Sequence, residues 1–141
     1  MNKLKLQVIT PERTVFDDEV DEVTLPTTSG EIGVLPNHVP LISIIKAGEV
    51  KIRKGKENIY LATYGGCIEI YPGGIRVLAD AAEHANEIDE MKVIEAKKQA
   101  ELAMKEAKDD VAFADAAAIL ERSLIQTKLV QRNKRHHTTN N

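Results

Sequence analysis

The chain has 141 residues, 43% hydrophobic and 29% charged, with a net charge of −3. That is a globular composition, and the negative balance argues against general nucleic-acid binding. No apolar run approaches the ~18 residues of a membrane span, the start MNKLKLQVIT lacks a signal peptide's apolar stretch, and one cysteine, Cys67, builds neither a disulfide framework nor a cysteine-based zinc site.

The residues that make turns are unevenly placed. All 8 glycines and all 5 prolines lie at or before Gly74. In this first part Leu4, Leu6 and Val8 alternate with Lys5 and Gln7, so a strand with one buried and one wet face is expected. The same period recurs at Val50 and Ile52, at Ile59 and Leu61, at Ile68 and Ile70, and at Ile75 and Val77. Ser29-Gly30, Lys54-Gly55-Lys56, Gly65-Gly66 and Pro72-Gly73-Gly74 read as the turns between strands. Many short strands with frequent turns predict an all-β sandwich over residues 1–84. Acids at Asp17-Asp18-Glu19 and Asp21-Glu22 are those of a protected edge strand. Pro36 and Pro40 bracket Asn37, His38 and Val39, which predicts a stiff loop between two buried strands with Asn37 and His38 held outward. His38 has no nucleophile or acid in a recognisable relation to it, and a loop histidine without chemistry is the plain alternative.

From Ala79 the composition turns over. Residues 79–118 hold 13 alanines, the strongest helix former. Asn86 is offered as an N-cap, followed by Ile88, Met91 and Ile94 at every third position, in a helix expected to run to about Lys108. One residue of Asp109-Asp110 caps a second helix carrying Phe113, Ala117, Leu120 and Leu124 on one face and ending near Arg132. Residues 85–133 therefore read as a two-helix hairpin, and residues 134–141 as a disordered basic and polar tail. The expected seam is mostly alanine. Burial stabilises by about 25 cal/mol per Å², so such a hairpin is weakly held and able to open. Merged into one helix, residues 88–132 would reach roughly 67 Å at about 1.5 Å per residue. A static two-helix cap is the alternative.

Everything charged from Arg122 onward is basic: Arg122, Lys128, Arg132, Lys134 and Arg135. This end suits an acidic partner or an anionic ligand, or is simply a solvated terminus. There is no phosphate-binding GxxxxGK[ST] loop, no GxGxxG and no HExxH, and His38, His84, His136 and His137 have no metal-ligand spacing. The chain reads as a binding or regulatory protein, with no catalytic residue and no required cofactor or metal.

The string Gly30-Glu31-Ile32-Gly33-Val34-Leu35-Pro36-Asn37-His38-Val39-Pro40-Leu41, with Gly65-Gly66 and Val77-Leu78-Ala79-Asp80, resembles the epsilon subunit of bacterial rotary ATP synthases, from Leu4 to about Arg132. The resemblance implies a non-catalytic rotor subunit on the central stalk of a proton-translocating complex. It would be peripheral at the cytoplasmic face of the cell membrane and meet the membrane only through that complex. Its partners would be the gamma subunit, the ring of c subunits and, when the hairpin extends, the catalytic alpha and beta subunits, whose ATP hydrolysis it would inhibit. The resemblance places Glu31 and His38 against the c ring. It gives the five basic residues from Arg122 to Arg135 the inhibitory contact. Some members bind ATP, with or without magnesium, in the folded hairpin through Ile or Leu, Asp, two variable residues, Arg and Ala. Here Ile88 and Asp89 match, Lys92 stands for the arginine and Val93 for the alanine. Lys92 keeps the charge but loses the bidentate fork. Glu83 and Arg122 match further positions, whereas Gln99, Asp115 and Gln126 replace basic ones, so weakened ATP binding is expected. In the plain alternative Asp89 is only an N-terminal helix acid. A free-standing nucleotide-sensing module without a rotary partner is the rival function.

Overall fold

The computed structural model describes residues 2–139, with side chains described as far as Arg135. Among these, eight strands precede two helices: β1 (Leu4–Ile9), β2 (Thr14–Val20), β3 (Glu22–Thr27), β4 (Gly30–Val34), β5 (Leu41–Lys54), β6 (Glu57–Tyr71), β7 (Gly74–Ala79) and β8 (Ala82–His84), then α1 (Glu90–Glu106) and α2 (Asp110–Thr139). An all-β sandwich followed by a pair of helices is the fold expected from the sequence. The chain divides into two compact units between Ala85 and Asn86.

In the first unit the strand order is β2-β1-β7-β6-β5-β3-β4, with β8 paired to β6. β1 lies between antiparallel β2 and parallel β7. The alternation that marks the strands also builds the core. Leu6 stands opposite Ile75, which stands opposite Ile70; Val8, Val77 and Ile68 make the next row. All six are buried and belong to one cluster with Val20, Val23, Leu25, Ile45 and Ile52. At one end of the unit Asp21 accepts from the Gly55 amide and pairs with Lys3 and Arg53, while Lys54 pairs with Asp18.

Two expectations about turns need correction. β5 has 14 residues and β6 has 15, against a usual strand of about 5–6. Gly65-Gly66 is not a turn between strands; it lies inside β6, with φ of 104° and 137°. At this bend β6 changes partner, from β8 over Leu61–Thr63 to β7 over Gly66–Tyr71. The bend stays hydrogen-bonded, with Tyr64 N–H donating to Ala81 O and Asp80 N–H to Gly65 O. Only glycine fits, because a Cβ on Gly66 would sit 2.2 Å from Leu78 O. The pairing register with β5 is the same on both sides of the bend, so glycine curves the strand without ending it.

In the second unit the helix boundaries shift from those expected. Asp89, not Asn86, caps α1: its Oδ1 accepts from the amides of Met91 and Lys92 at 3.1 and 3.2 Å. Asn86 is taken up in a 3-10 turn, Ala85–Glu87. Asp109 caps α2, accepting from Ala112 N–H at 2.7 Å. α2 continues to Thr139, past the expected end near Arg132 and into the stretch expected to be disordered. No glycine or proline stops it. Asn140 and Asn141, also assigned to that tail, lie outside the described residues.

The buried positions of the helices are not the expected stripes either. Val93 and Ala100 on α1, and Ala116, Ser123, Leu129 and Val130 on α2, are buried. Met91 and Ile94, Phe113 and Leu124 are exposed. The buried set is rich in small side chains, which let two helix axes approach closely and leave the larger apolar residues to flank the contact. Ser123 Oγ and Thr127 Oγ1 satisfy themselves on the carbonyls of Ile119 and Ser123.

Candidate functional site: an outward apolar row, a proline-stiffened loop and a capped helix pair

The loop between β4 and β5 is built as its prolines require. His38 N–H donates to Leu35 O at 3.2 Å, closing a β-turn with Pro36 at its first corner and Asn37 at its second. Asn37 has a φ of 69°, the left-handed geometry that a type II turn needs at that place and that asparagine tolerates. Asn37 is exposed and His38 half-buried, with its Nδ1 2.7 Å from Val39 O. Glu31 is exposed on β4, opposite Pro26.

The strand after this loop was expected to be buried, and its start is not. Ile42 is 79% exposed and Ile44 61%. Ile44 stands opposite the exposed Cys67 of β6, and Cys67 stands opposite Leu78 of β7, which is 43% exposed. These side chains form one outward apolar row across three strands. The next row is Ile42, Glu69 and Arg76, where Glu69 and Arg76 pair at 3.3 Å and the guanidinium lies 5.3 Å from the centre of the Tyr71 ring. Leu35 and Val39 of the loop are exposed as well. Sequence reasoning missed this surface. The signal was present: Leu41-Ile42 and Ile44-Ile45 are apolar at consecutive positions, and a strand of a two-layer sandwich buries only one face.

The nucleotide candidates fall in both units. Glu83 lies on β8 and accepts from Tyr64 Oη at 3.2 Å. Ile88 is half-buried just before α1; Lys92 is exposed in its first turn, beside the buried Val93. Asp89 carries the plain role weighed for it, since Oδ1 is occupied by the helix cap, leaving Oδ2 for any further donor. Arg122 is exposed on α2, as are Lys128, Arg132, Lys134 and Arg135. Lys134 Nζ lies 2.5 Å from Glu90 Oε2, joining the end of α2 to the start of α1. His136 and His137 lie beyond the described side chains.

Comparison with known proteins decides the family. The family model described as ATP synthase, Delta/Epsilon chain, beta-sandwich domain matches residues 3–85. The ATP synthase epsilon chain of Dehalococcoides mccartyi is 42% identical over 137 residues, which is 96% of this chain and 98% of that one. This chain belongs to the ATP synthase epsilon chain family. The epsilon chain of Syntrophobacter fumaroxidans is 39% identical over 130 residues, covering 92% of this chain and 97% of that one. That of Chromobacterium violaceum is 41% identical over 130 residues, covering 91% and 93%. In fold, the chain is similar to one from the Euglena gracilis mitochondrial ATP synthase, with a TM-score of 0.80 at 19% identity over 91% of this chain and 81% of that chain. A chain from the central stalk and c-ring of the Tetrahymena thermophila enzyme matches at 0.58 and 12%, over 92% and 97%. Among the described residues no helix is long and apolar enough to cross a membrane.

Proposed function

We propose that this epsilon-type chain is a non-catalytic central-stalk subunit of a proton-translocating ATP synthase, peripheral at the cytoplasmic face of the membrane. Its sandwich docks on the gamma subunit and rests on the c ring, and its helices restrain ATP hydrolysis by the alpha and beta subunits. The observation that carries the docking is the row Ile44–Cys67–Leu78 with Ile42 beside it. Large apolar side chains contiguous on a folded surface mark a place where another protein sits, and the Glu69–Arg76 pair supplies a polar rim of the kind such interfaces have. The loop of Glu31 and His38 is the c-ring contact in this reading, held in one shape by its type II turn.

The helical unit is suited to restraint because its seam is small-residue and therefore weakly held. In the opened state Arg122, Lys128, Arg132, Lys134 and Arg135 meet acidic surfaces of the catalytic subunits. ATP is the ligand that favours the folded hairpin, through Ile88, Asp89, Lys92 and Arg122. Lys92, Gln99, Asp115 and Gln126 make it a weak one. A ligand that binds only the folded form stabilises it by RT ln(1 + [L]/Kd), about 2.7 kcal/mol at 100 Kd. Calorimetric titration with MgATP tests this; no heat and no thermal upshift at millimolar nucleotide removes ATP from the account.

The docking is tested by Ile44→Glu. A side chain this exposed is replaced without loss of the fold, so the variant melts as the parent does. It is expected to fail to co-purify with the gamma subunit. Co-purification unchanged would overturn the assignment of this face.

A further inference from the structure

The antiparallel pair β3–β5 carries two neighbouring outward rows, Glu22 opposite Arg53 and Thr24 opposite Lys51. Between them Val23 and Ile52 face each other and are fully buried. Side chains alternate along a strand, so the four polar residues share the outer face of the sheet. They line a hollow of about 80 Å³. Gly33, opposite Thr24 on β4, adds no side chain to crowd it.

The hollow holds more donors than the fold uses. The side chains of Lys51 and Thr24 have no hydrogen-bond or ion-pair partner among the described residues. Arg53 is only loosely engaged: one terminal nitrogen donates to Glu22 Oε2 at 3.4 Å, and the other stands 3.9 Å from Asp21 Oδ2. Asp21 is itself served first by Lys3 and the Gly55 amide. A guanidinium has five N–H donors, so Arg53 keeps some in reserve. An ammonium, a hydroxyl and a guanidinium converging on one hollow are donors suited to an oxyanion. With Glu22 included, the lining carries two positive charges and one negative.

Size and the lone carboxylate narrow the ligand. A water molecule takes about 30 Å³ of the liquid, so the hollow has room for one tetrahedral oxyanion and none for a nucleobase. Glu22 repels an anion that has lost all its protons, but its carboxylate accepts from an acidic O–H. Inorganic phosphate keeps at least one proton at mildly alkaline pH. Sulfate keeps none, and a phosphomonoester, with its second pKa near 6, has mostly lost its own. We propose that Thr24, Lys51, Arg53 and Glu22 form a binding site for inorganic phosphate. Lys51 Nζ, Thr24 Oγ1 and the Arg53 guanidinium donate to its oxygens, and Glu22 accepts from its P–OH. The site lies wholly within the sandwich and stands whether or not Ile88, Asp89, Lys92 and Arg122 bind ATP. Phosphate is a reactant in the synthesis for which the family is named, so occupancy of the site would follow the phosphate supply of the complex.

The probe is inorganic phosphate, titrated into the full chain at constant ionic strength and mildly alkaline pH and followed through backbone amide shifts by nuclear magnetic resonance. Saturable shifts are expected at residues 22–24 and 51–53, in the millimolar range. Sulfate and glycerol 3-phosphate should bind at least about tenfold more weakly. Lys51→Gln removes one charge-assisted hydrogen bond and should weaken phosphate by about tenfold or more. Lys46→Gln, at an exposed lysine of β5 outside the hollow, should change nothing. Glu22→Gln should raise sulfate affinity to that of phosphate, a change of selectivity that a merely structural role for Glu22 would not produce. The substituted residues are exposed or half-buried, so the variants should melt as the parent does. Shifts that never saturate, or that gather instead on the basic end from Arg122, overturn the proposal. So do equal affinities for the three anions, or equal losses in Lys51→Gln and Lys46→Gln.

Discussion

Gly66 is the position at which a single methyl group should do the most damage. Its Cβ would meet Leu78 O at 2.2 Å, Ala79 Cα at 2.8 Å and Leu78 C at 3.0 Å, all backbone atoms that cannot rotate away. Its φ of 137° adds a conformational cost for any L side chain, on the order of 1–3 kcal/mol. Relief of the clash requires β6 and β7 to part by about 1 Å at the Gly66–Ala79 pair, and overpacking of this kind costs roughly 1–3 kcal/mol more. Gly66→Ala is therefore expected to lose about 2–6 kcal/mol. A domain of this size has a total stability of only some 5–15 kcal/mol. At about 4–8 °C per kcal/mol the sandwich should melt at least about 8 °C lower. Gly55→Ala is the control, with a φ of 63° and no atom within 4 Å of the added carbon; it carries only the conformational penalty of about 1–2 kcal/mol. The assay is near-ultraviolet circular dichroism of the free chain. Its three tyrosines, Tyr60, Tyr64 and Tyr71, all lie in the sandwich and there is no tryptophan, so the tyrosine band, at longer wavelength than that of Phe113, is free of the helices. A Gly66→Ala melting point within a few degrees of that of Gly55→Ala would refute the packing argument.

Three further outcomes are expected. Asp18 is held below the usual carboxylate range first by its hydrogen bond from Lys54 and then by the Glu19 amide, and Asp21 first by Lys3 and then by the Gly55 amide. A carboxyl whose folded pKa is depressed contributes stability above its unfolded value and loses it as pH falls through the folded one. The sandwich should therefore weaken below about pH 4, and Asp18→Asn with Asp21→Asn should flatten that limb of the melting-point profile; an unchanged profile contradicts the network's role. Thr63 Oγ1 is buried without a hydrogen-bond partner, and a stranded hydroxyl costs about 1–3 kcal/mol. Thr63→Val, of nearly the same shape, should raise the melting point by several degrees rather than lower it. Glu90→Lys replaces an attraction to Lys134 with a repulsion. An exposed pair is worth less than about 1 kcal/mol, yet in a weakly seamed hairpin that shifts the balance toward opening. Hydrolysis by the assembled complex should be more inhibited at low salt, with the difference fading at high salt; equal inhibition at all ionic strengths would exclude the pair as a latch.

Much of the architecture was legible because it depends on local rules. The two-residue period of Leu4, Leu6 and Val8 places them in the core, and the alanine-rich stretch becomes helix from Glu90 on, either side of the break at 107–109, although two of its early alanines, Ala82 and Ala85, are taken by β8 and a 3-10 turn. Pro36 and Asn37 specify their turn by the φ each tolerates. What failed were features set by partners distant in sequence. Gly65-Gly66 has the composition of a turn, and only the approach of Leu78 O, from β7, shows that it is a bend within a strand. Ile42 and Ile44 are as apolar as Ile68 and Ile70; the side of the sheet on which they fall is fixed by register. Phe113, Ala117, Leu120 and Leu124 share a helix face, but the small residues Ala116 and Ser123 set the closer approach and took the buried position instead. In the candidate nucleotide site the sequence supplied residue types alone. The structure adds a competing duty for Asp89, whose Oδ1 is already engaged by two helix amides.

The rate of ATP hydrolysis by the assembled complex, with the full chain and with residues 88–141 removed, across ATP concentrations, bears most directly on the central claim. The account predicts faster hydrolysis without the helices, with a difference that narrows as ATP rises and holds the hairpin folded. Equal rates at every ATP concentration would contradict it, and would leave this chain a fixed rotor component with no brake.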